Sequence, residues 1–464
     1  MSSQQSDSIP QVSAQVQETG VPLSTLHCYA TIAAPLAAAF IALQVIVPTF
    51  YAESTGLSLT VIGLVLLAAR LWDMVTDPIV GILSDRTPQR FGKRKIWVVV
   101  ATPMIIIAVW KLFVPPPDVD WQYLLLWTVL IYIAGTMAIV PLNAWGAELS
   151  PVYHQRNRVA GARTAYGLAG TLIALLIAAL AGDGGTDLTD SLLWVAVFVV
   201  ITMFASVLLA AVKVPDRAVV ELPEHTLRQA LKLLKTPGPI RQLLGSFFIN
   251  SIANAVPATL FLLYVSYVIE RPSMAGKLLF LYFILAAISV PVWLRIAKHT
   301  GKHQTWSGAM LLTCVVFSIV PFLSADTWYI YVVVVLISGF LTGADLILPV
   351  SIKGDLIEWD AYENGLRRPG LFFALWGTTT KLAFALAVGI TFPILELAGF
   401  NTGTIGVSEG TTATGNNGTM ALALMYCVPA ILLKLTAIYL MRNYPITREE
   451  HERMSAEIAS RNLS

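Results

Sequence analysis

Long apolar runs alternate with short polar breaks along almost the whole length of the 464-residue chain. Twelve of the runs are long enough to cross a bilayer, for which a helix needs about 20 residues. The first six are expected near 27–51, 58–83, 95–114, 122–149, 159–182 and 190–212. The second six fall near 240–269, 274–297, 305–324, 328–357, 370–398 and 419–442. Several exceed the minimum, so tilt or projection beyond the hydrocarbon is expected. The pattern predicts an all-α polytopic membrane protein, with twelve transmembrane helices in two six-helix halves, 27–212 and 240–442. The linker between them, 213–239, is charged, carries Pro215, Pro223, Pro237 and Pro239, and has room for a short amphipathic helix around 227–234. Polar tails at 1–26 and 443–464 complete the chain, and the first lacks the basic start and apolar stretch of a signal peptide.

The break after the second span of each half has one grammar. Arg86 precedes Gly92 by six residues and Arg295 precedes Gly301 by six, with Lys93 and Lys302 following. This is a weak trace of duplication, placed where a repeated half would put it. The basic residues also set the orientation. Arg86, Arg90, Lys93 and Arg94, then Arg156, Arg158 and Arg163, then Arg217, Arg228 and Lys232 all fall on one side, whereas the other has Arg271 and little else. By the positive-inside rule both termini are cytoplasmic, in a plasma or inner membrane.

Composition agrees. Apolar residues make up 56% and charged residues 12% of the chain, with mean hydropathy +0.70; a soluble domain is about 25% charged. A net charge of +2 gives no electrostatic reason to expect a nucleic-acid partner. Cys28, Cys314 and Cys427 lie far apart in or beside apolar runs and read as small core residues. The six histidines have neither metal-ligand nor triad spacing, which argues against a membrane enzyme. No glycine-rich nucleotide loop appears, which argues against an ATP-driven pump.

Chemistry concentrates in the second span. Asp73 and Asp77 are four residues apart, so on a helix they stack on one face, with Arg70 one turn before Asp73. A bare carboxylate in hydrocarbon costs at least ~3 kcal/mol, so such acids face a polar cavity or a partner. They form either a cation site or an internal ion pair that fixes helix packing.

The stretch RLWDMVTDPIVGILSDRTPQRFGKRK, Arg70 to Lys95, resembles the glycoside–pentoside–hexuronide:cation symporters of the major facilitator superfamily. The melibiose permease is the best-known member and vertebrate lysophospholipid symporters are a distant branch. Three other places agree: VPLNAWGAELSPVYHQRNRVAGAR (Val140–Arg163), DLIEWDAYENGLRRPGLFFA (Asp355–Ala374) and Lys381 in the eleventh span. The resemblance implies the major facilitator fold and a secondary active transporter, with no covalent reaction and no cofactor beyond a coupling ion, Na⁺ or H⁺. It implies that Asp73 and Asp77 hold the cation and that Thr136 completes the site, although a membrane threonine also commonly bonds its own helix. Lys381, roughly 17 Å into its helix at 1.5 Å per residue, matches the lysine on which transport depends; a static counter-charge is the other reading.

Arg163 matches an arginine that helps bind substrate, or it serves as a gate residue paired with Glu148 or Asp355. Trp72, Trp145 and Trp376 are candidates for stacking on a sugar ring, against the commoner role of packing. The mixed charges Asp85, Arg86, Arg94, Glu148, Arg156, Arg158, Asp355, Glu358, Arg367 and Arg368 read as a cytoplasmic latch between the halves. One departure is plain: the sugar-gripping acids of the melibiose permease would fall near Ala37 and Ile139, both apolar. The expectation is cation-coupled symport of a glycoside, sugar or uronide, with a lysolipid or other amphiphile as the alternative and an uncoupled facilitator or sensor as a third class. Its partners are a small solute, a monovalent cation and the bilayer, around a monomer.

Overall fold

The computed structural model describes residues 20–89, 92–150, 153–181, 188–216, 238–364, 369–402 and 416–446, with isolated positions beyond. Among them twelve helices are long and apolar enough to cross a membrane. The first six are Leu23–Ser54, Leu59–Asp85, Lys95–Phe113, Trp121–Glu148, Gln155–Ala181 and Leu188–Lys213. The second six are Pro239–Tyr267, Pro272–Thr300, Lys302–Phe322, Ala325–Glu363, Gly370–Leu397 and Asn417–Met441. Each coincides with an expected run, and the tenth is longest because its helix continues past the apolar stretch into Asp355–Glu363. The linker helix expected at 227–234 lies outside the described residues, as do Arg90, Arg217, Arg228, Arg367 and Arg368.

Local chemistry sets the ends and the breaks. Ser58 caps the second span by accepting from the Val61 amide, and Asp120 caps the fourth by accepting from the Tyr123 amide. The first span is interrupted twice. Its helix breaks at Thr31–Ile32 and passes through a π-helical segment at Ala42–Ile46. Each interruption includes the fourth residue before a proline, Thr31 before Pro35 and Gln44 before Pro48. A proline cannot donate to that carbonyl, and its ring crowds it.

The two halves pack alike. Spans 1 and 5, 2 and 4, 3 and 4, 3 and 6 associate in the first half, and 7 and 11, 8 and 10, 9 and 10, 9 and 12 in the second. The strongest associations between halves, 2 with 11 and 5 with 8, exchange under the same six-span shift. Gly92 and Gly301 both have positive φ, 78° and 92°, so the repeated turn is a repeat of conformation too. Arg94 pairs with Glu148 at the end of the fourth span at 2.9 Å, and Lys302 with Asp355 near the end of the tenth at 2.7 Å.

The halves meet tightly at the end away from the basic loops. A Cβ on Gly389 would fall 2.7 Å from Leu67, one on Gly63 3.0 Å from the Val388 carbonyl, and one on Gly276 2.8 Å from Ala179. The Thr60 amide donates to Glu396 at 2.6 Å, and the Thr402 hydroxyl donates to the Ala52 carbonyl at 2.6 Å. One hydrophobic core runs through both halves there, while the basic end of the second half keeps a separate core around Trp306, Leu348 and Phe372. At the basic end, the described ion pairs each close within one half.

Candidate functional site

The second, fourth and eleventh spans bring five expected residues together, Arg70, Asp73, Asp77, Thr136 and Lys381. Thr136 Oγ1 lies 2.8 Å from Asp73 Oδ1 and 2.9 Å from Asp77 Oδ1. Lys381 Nζ lies 2.8 Å from both oxygens of Asp77 and 2.9 Å from Asp73 Oδ2. Arg70 approaches Asp73 at 3.4 Å while its guanidinium covers the Tyr132 ring at 4.2 Å. Asp73 is only 2% exposed, and Asp77 faces the cavity beside it. The two carboxylates thus meet two cations, so their burial carries no uncompensated formal charge. The hydroxyl of Thr136 has one hydrogen for two carboxylate oxygens. Three oxygens therefore converge around a single hydroxyl hydrogen.

The knot forms the inner wall of an 840 Å³ cavity lined from the first, second, fourth, fifth and eleventh spans. Ala37, Phe40, Met74, Ile139, Val140 and Leu375 make much of the wall, with Gln44, Asn143, Thr164 and Thr378 as scattered polar groups. Ala37 and Ile139, where paired acids were absent from the sequence, both line it. Every lining residue of the fourth, fifth and eleventh spans lies in the half of its helix toward the basic loops. Arg163 enters the same cavity and takes neither Glu148 nor Asp355, whose described ion pairs are with Arg94 and Lys302.

The tryptophans do not reach the cavity wall. Trp72 is 53% exposed on a stripe with Val75, Ile79 and Ile82, the kind of surface a spanning helix turns to lipid. Its neighbour Asp73 points inward because successive helical residues are about 100° apart. Trp145 is buried, donating to the Pro215 carbonyl at 2.9 Å and meeting Tyr29 edge-on. Trp376 lies in the second half's core, stacked on Phe247 at 4.4 Å. None of the three rings presents its face to the cavity in this arrangement.

The described ion pairs of the expected latch, Arg94 with Asp85 and Glu148 and Lys302 with Asp355, each close within one half. Arg94 holds Asp85 at 2.6 Å, Glu148 and the Ser84 hydroxyl. Burial alone would lower the Arg94 pKa, but hydrogen bonds and charge from Glu148 and Asp85 outweigh it and raise the value. Arg156 donates to the Ser150 carbonyl, Arg158 approaches the Val21 carbonyl at 3.5 Å, and Arg86 and Glu358 are exposed.

A second buried charge cluster escaped the sequence reading. Lys434 of the twelfth span pairs with Asp345 of the tenth at 3.0 Å. Asn250, Asn254 and Trp306 donate to the same carboxylate at 3.1, 3.0 and 2.7 Å. Its sequence signal was plain enough: one acid and one lysine, each alone in an apolar run. The carboxylate is saturated with donors, unlike the convergent oxygens around Thr136.

Comparison with known proteins places this geometry. The chain is 24% identical to the human sodium-dependent lysophosphatidylcholine symporter 1, over 83% of this chain and 76% of the relative. It is 25% identical to the inner membrane symporter YicJ of Escherichia coli, over 88% and 89%, and 24% identical to the Bacillus subtilis symporter YnaJ, over 89% of each. Among solved structures, the nucleoside transporter NupG superposes with a TM-score of 0.64 at 12% identity, over 90% of this chain and 98% of that one. A bacterial homologue of the lysosomal transporter Spinster gives 0.59 at 15% identity, over 94% and 96%. These structural likenesses show the fold alone, and the family match adds that it is the major facilitator fold of an integral membrane transporter rather than of an enzyme. The sequence pattern that defines the family described as MFS/sugar transport protein matches residues 28–448, and the chain belongs to that family.

Proposed function

We propose that the protein is a cation-coupled symporter whose solute is an amphiphile, with the coupling cation held by Asp73, Asp77 and Thr136. The observation that carries this reading is the knot of Lys381, Asp77, Asp73 and Thr136 at the wall of a largely apolar cavity. A cation placed among the three convergent oxygens meets hard donors of the kind Na⁺ takes, and the same carboxylates can instead share a proton. In either case it competes with the Lys381 ammonium for Asp77. Because Lys381 and Asp77 sit on opposite halves, the contest at this pair is also a contest over how the halves are tied together. The sealed end opposite the basic loops and the cavity toward them correspond, with the expected orientation, to an inward-facing state in alternating access.

The apolar wall favours an amphiphile. Among the described lining residues only Phe40 is aromatic, where a sugar site would be expected to present a platform. Similarity to lysophosphatidylcholine symporters supports the same class. A glycoside or uronide remains the second reading, favoured by Arg163, Asn143 and Gln44, which can bond several hydroxyls. Uptake into reconstituted vesicles by lysolipids, alkyl glycosides and uronides, with Na⁺ and pH gradients imposed separately, distinguishes them. Accumulation of a lysolipid driven by one gradient supports the proposal; accumulation of free sugars alone overturns the amphiphile assignment, and uptake indifferent to both gradients overturns coupling.

A further inference from the structure

The basic end of the cavity has a second cationic feature on the other half. Lys353, on the tenth span, is only 4% exposed, and its ammonium forms no ion pair or hydrogen bond with any described residue. It lies 3.8 Å above the Phe373 ring and 5.3 Å from the centre of the Trp376 ring. The indole N–H of that same Trp376 is buried and has no acceptor. Two neighbouring donors, one of them charged, thus have no acceptor among the described residues. An unpaired buried ammonium is among the costlier groups a fold can carry, and cation–π contact offsets only about 2 kcal/mol of that cost. A buried indole N–H without an acceptor, next to an ammonium without a counter-charge, needs a reason.

The position of the pair supplies one. Phe373 is exposed on the face of the eleventh span that continues through Ala374, Gly377 and Thr378, all of which line the cavity. A Cβ added at Gly377 would meet nothing within 4 Å, so the lining beside Trp376 is open. Lys353 therefore sits beside the stretch of the eleventh span that lines the cavity, its ammonium against the Phe373 ring. The ammonium is 5.3 Å from the centre of the indole ring that carries the N–H, so the two donors belong to one neighbourhood. Across the cavity, Arg163 also has no hydrogen bond or ion pair with a described residue.

We propose that Lys353 and the Trp376 N–H form an oxyanion subsite at the basic end of the cavity, which receives the carboxylate or phosphate of the transported amphiphile once Phe373 turns aside. This rests on the reading of the cavity as an amphiphile site. The ammonium supplies charge, the indole N–H supplies direction, and the aromatic faces hold the ammonium in place until the anion arrives. The subsite selects solutes with an anionic head over neutral ones of equal length.

Binding by the full-length protein in nanodiscs tests it, with octyl phosphate and octyl glucuronide as anionic probes and octyl glucoside as the neutral one. The expected result is tighter binding of both anionic probes, with Lys353→Met and Trp376→Phe each lowering their affinity, the former about ten-fold, and leaving octyl glucoside unchanged. Lys353→Arg should retain most of the preference. Replacing an unpaired buried charge by methionine should preserve or raise the melting temperature, so a loss of binding is not a loss of fold. Discs of neutral phosphatidylcholine and discs doped with phosphatidylglycerol separate the two sources of anion. If Lys353→Met reduces only co-purified phosphatidylglycerol and leaves the octyl probes alone, the occupant is a bilayer lipid and the proposal is wrong. Equal affinity of wild type and Lys353→Met for octyl phosphate overturns the subsite alone, whereas failure of all three probes to bind wild type overturns the subsite and the amphiphile reading together.

Discussion

The Lys381 ammonium on the eleventh span lies 2.8 Å from both carboxylate oxygens of Asp77 on the second, so one ion pair joins the two halves beside the cavity. Removing the lysine leaves buried Asp73 with Arg70 and half-buried Asp77 with no cation. The cost is up to about 3 kcal/mol, below that of a fully buried pair because the cavity admits water. The same change removes the competitor of the coupling cation. Lys381→Met should therefore melt at a lower temperature in the absence of added cation, yet gain more stabilisation than wild type from Na⁺ or from acid. Melting curves across Na⁺ concentration and pH measure this. A mutant with wild-type cation response would separate Lys381 from the cation site.

The seal opposite the basic loops depends on glycines that admit close packing. Gly389 has Leu67 within van der Waals reach of any added Cβ, and Gly63 has Val388 and Phe392. Gly389→Leu should prop that end open and shift the population of states. A cysteine introduced at Gln44 should then react faster with an impermeant thiol reagent applied from the side opposite the basic loops. Unchanged reactivity would show that the seal tolerates the added bulk.

Arg163 enters the cavity without a described ion-pair partner, so its role divides cleanly. If its planar fork bonds the solute, Arg163→Lys should weaken equilibrium binding by about ten-fold although the charge is kept. If it acts on the gate, binding stays near normal and the exchange rate changes. Equilibrium binding and counterflow on that variant distinguish the two.

The Asp345–Lys434 cluster should behave as a static support. Lys434→Met leaves the carboxylate buried with neutral donors only, and should cost about 3–5 kcal/mol of stability. Asp345→Asn combined with Lys434→Met removes both charges and should recover part of that loss. Thermal unfolding of the single and double variants reads the coupling, and transport in the double variant should retain its cation dependence.

Much of this was legible in the chain. Apolar run length gave all twelve spans, because each helix must satisfy its own backbone in lipid. Asp73, Asp77 and Thr136 were legible because helical spacing and the resemblance agreed, and the Gly92 and Gly301 turns because positive φ favours one residue type. The tryptophans were not. Whether Trp72 faces lipid or cavity is a matter of helix rotation, which tertiary packing sets and an apolar run does not encode. Asp345 and Lys434 were readable as lone charges, but their meeting required the fold. Lys353 stands beside Gly354 and Asp355 at the edge of a charged stretch, so its burial was hidden by its neighbours.

The central claim is that accumulation and exchange part company at the cation site. Asp77→Asn should lose gradient-driven accumulation, since the amide cannot carry the charge that binds the cation. Its cavity is otherwise intact, so it should still catalyse solute counterflow, which needs no net movement of the coupling ion. The measurement is uptake of the wild-type substrate into reconstituted vesicles with and without an imposed Na⁺ or pH gradient, alongside counterflow in the same preparation. Loss of accumulation with retained counterflow is the predicted result; concentrative uptake at the wild-type level by Asp77→Asn would contradict the account.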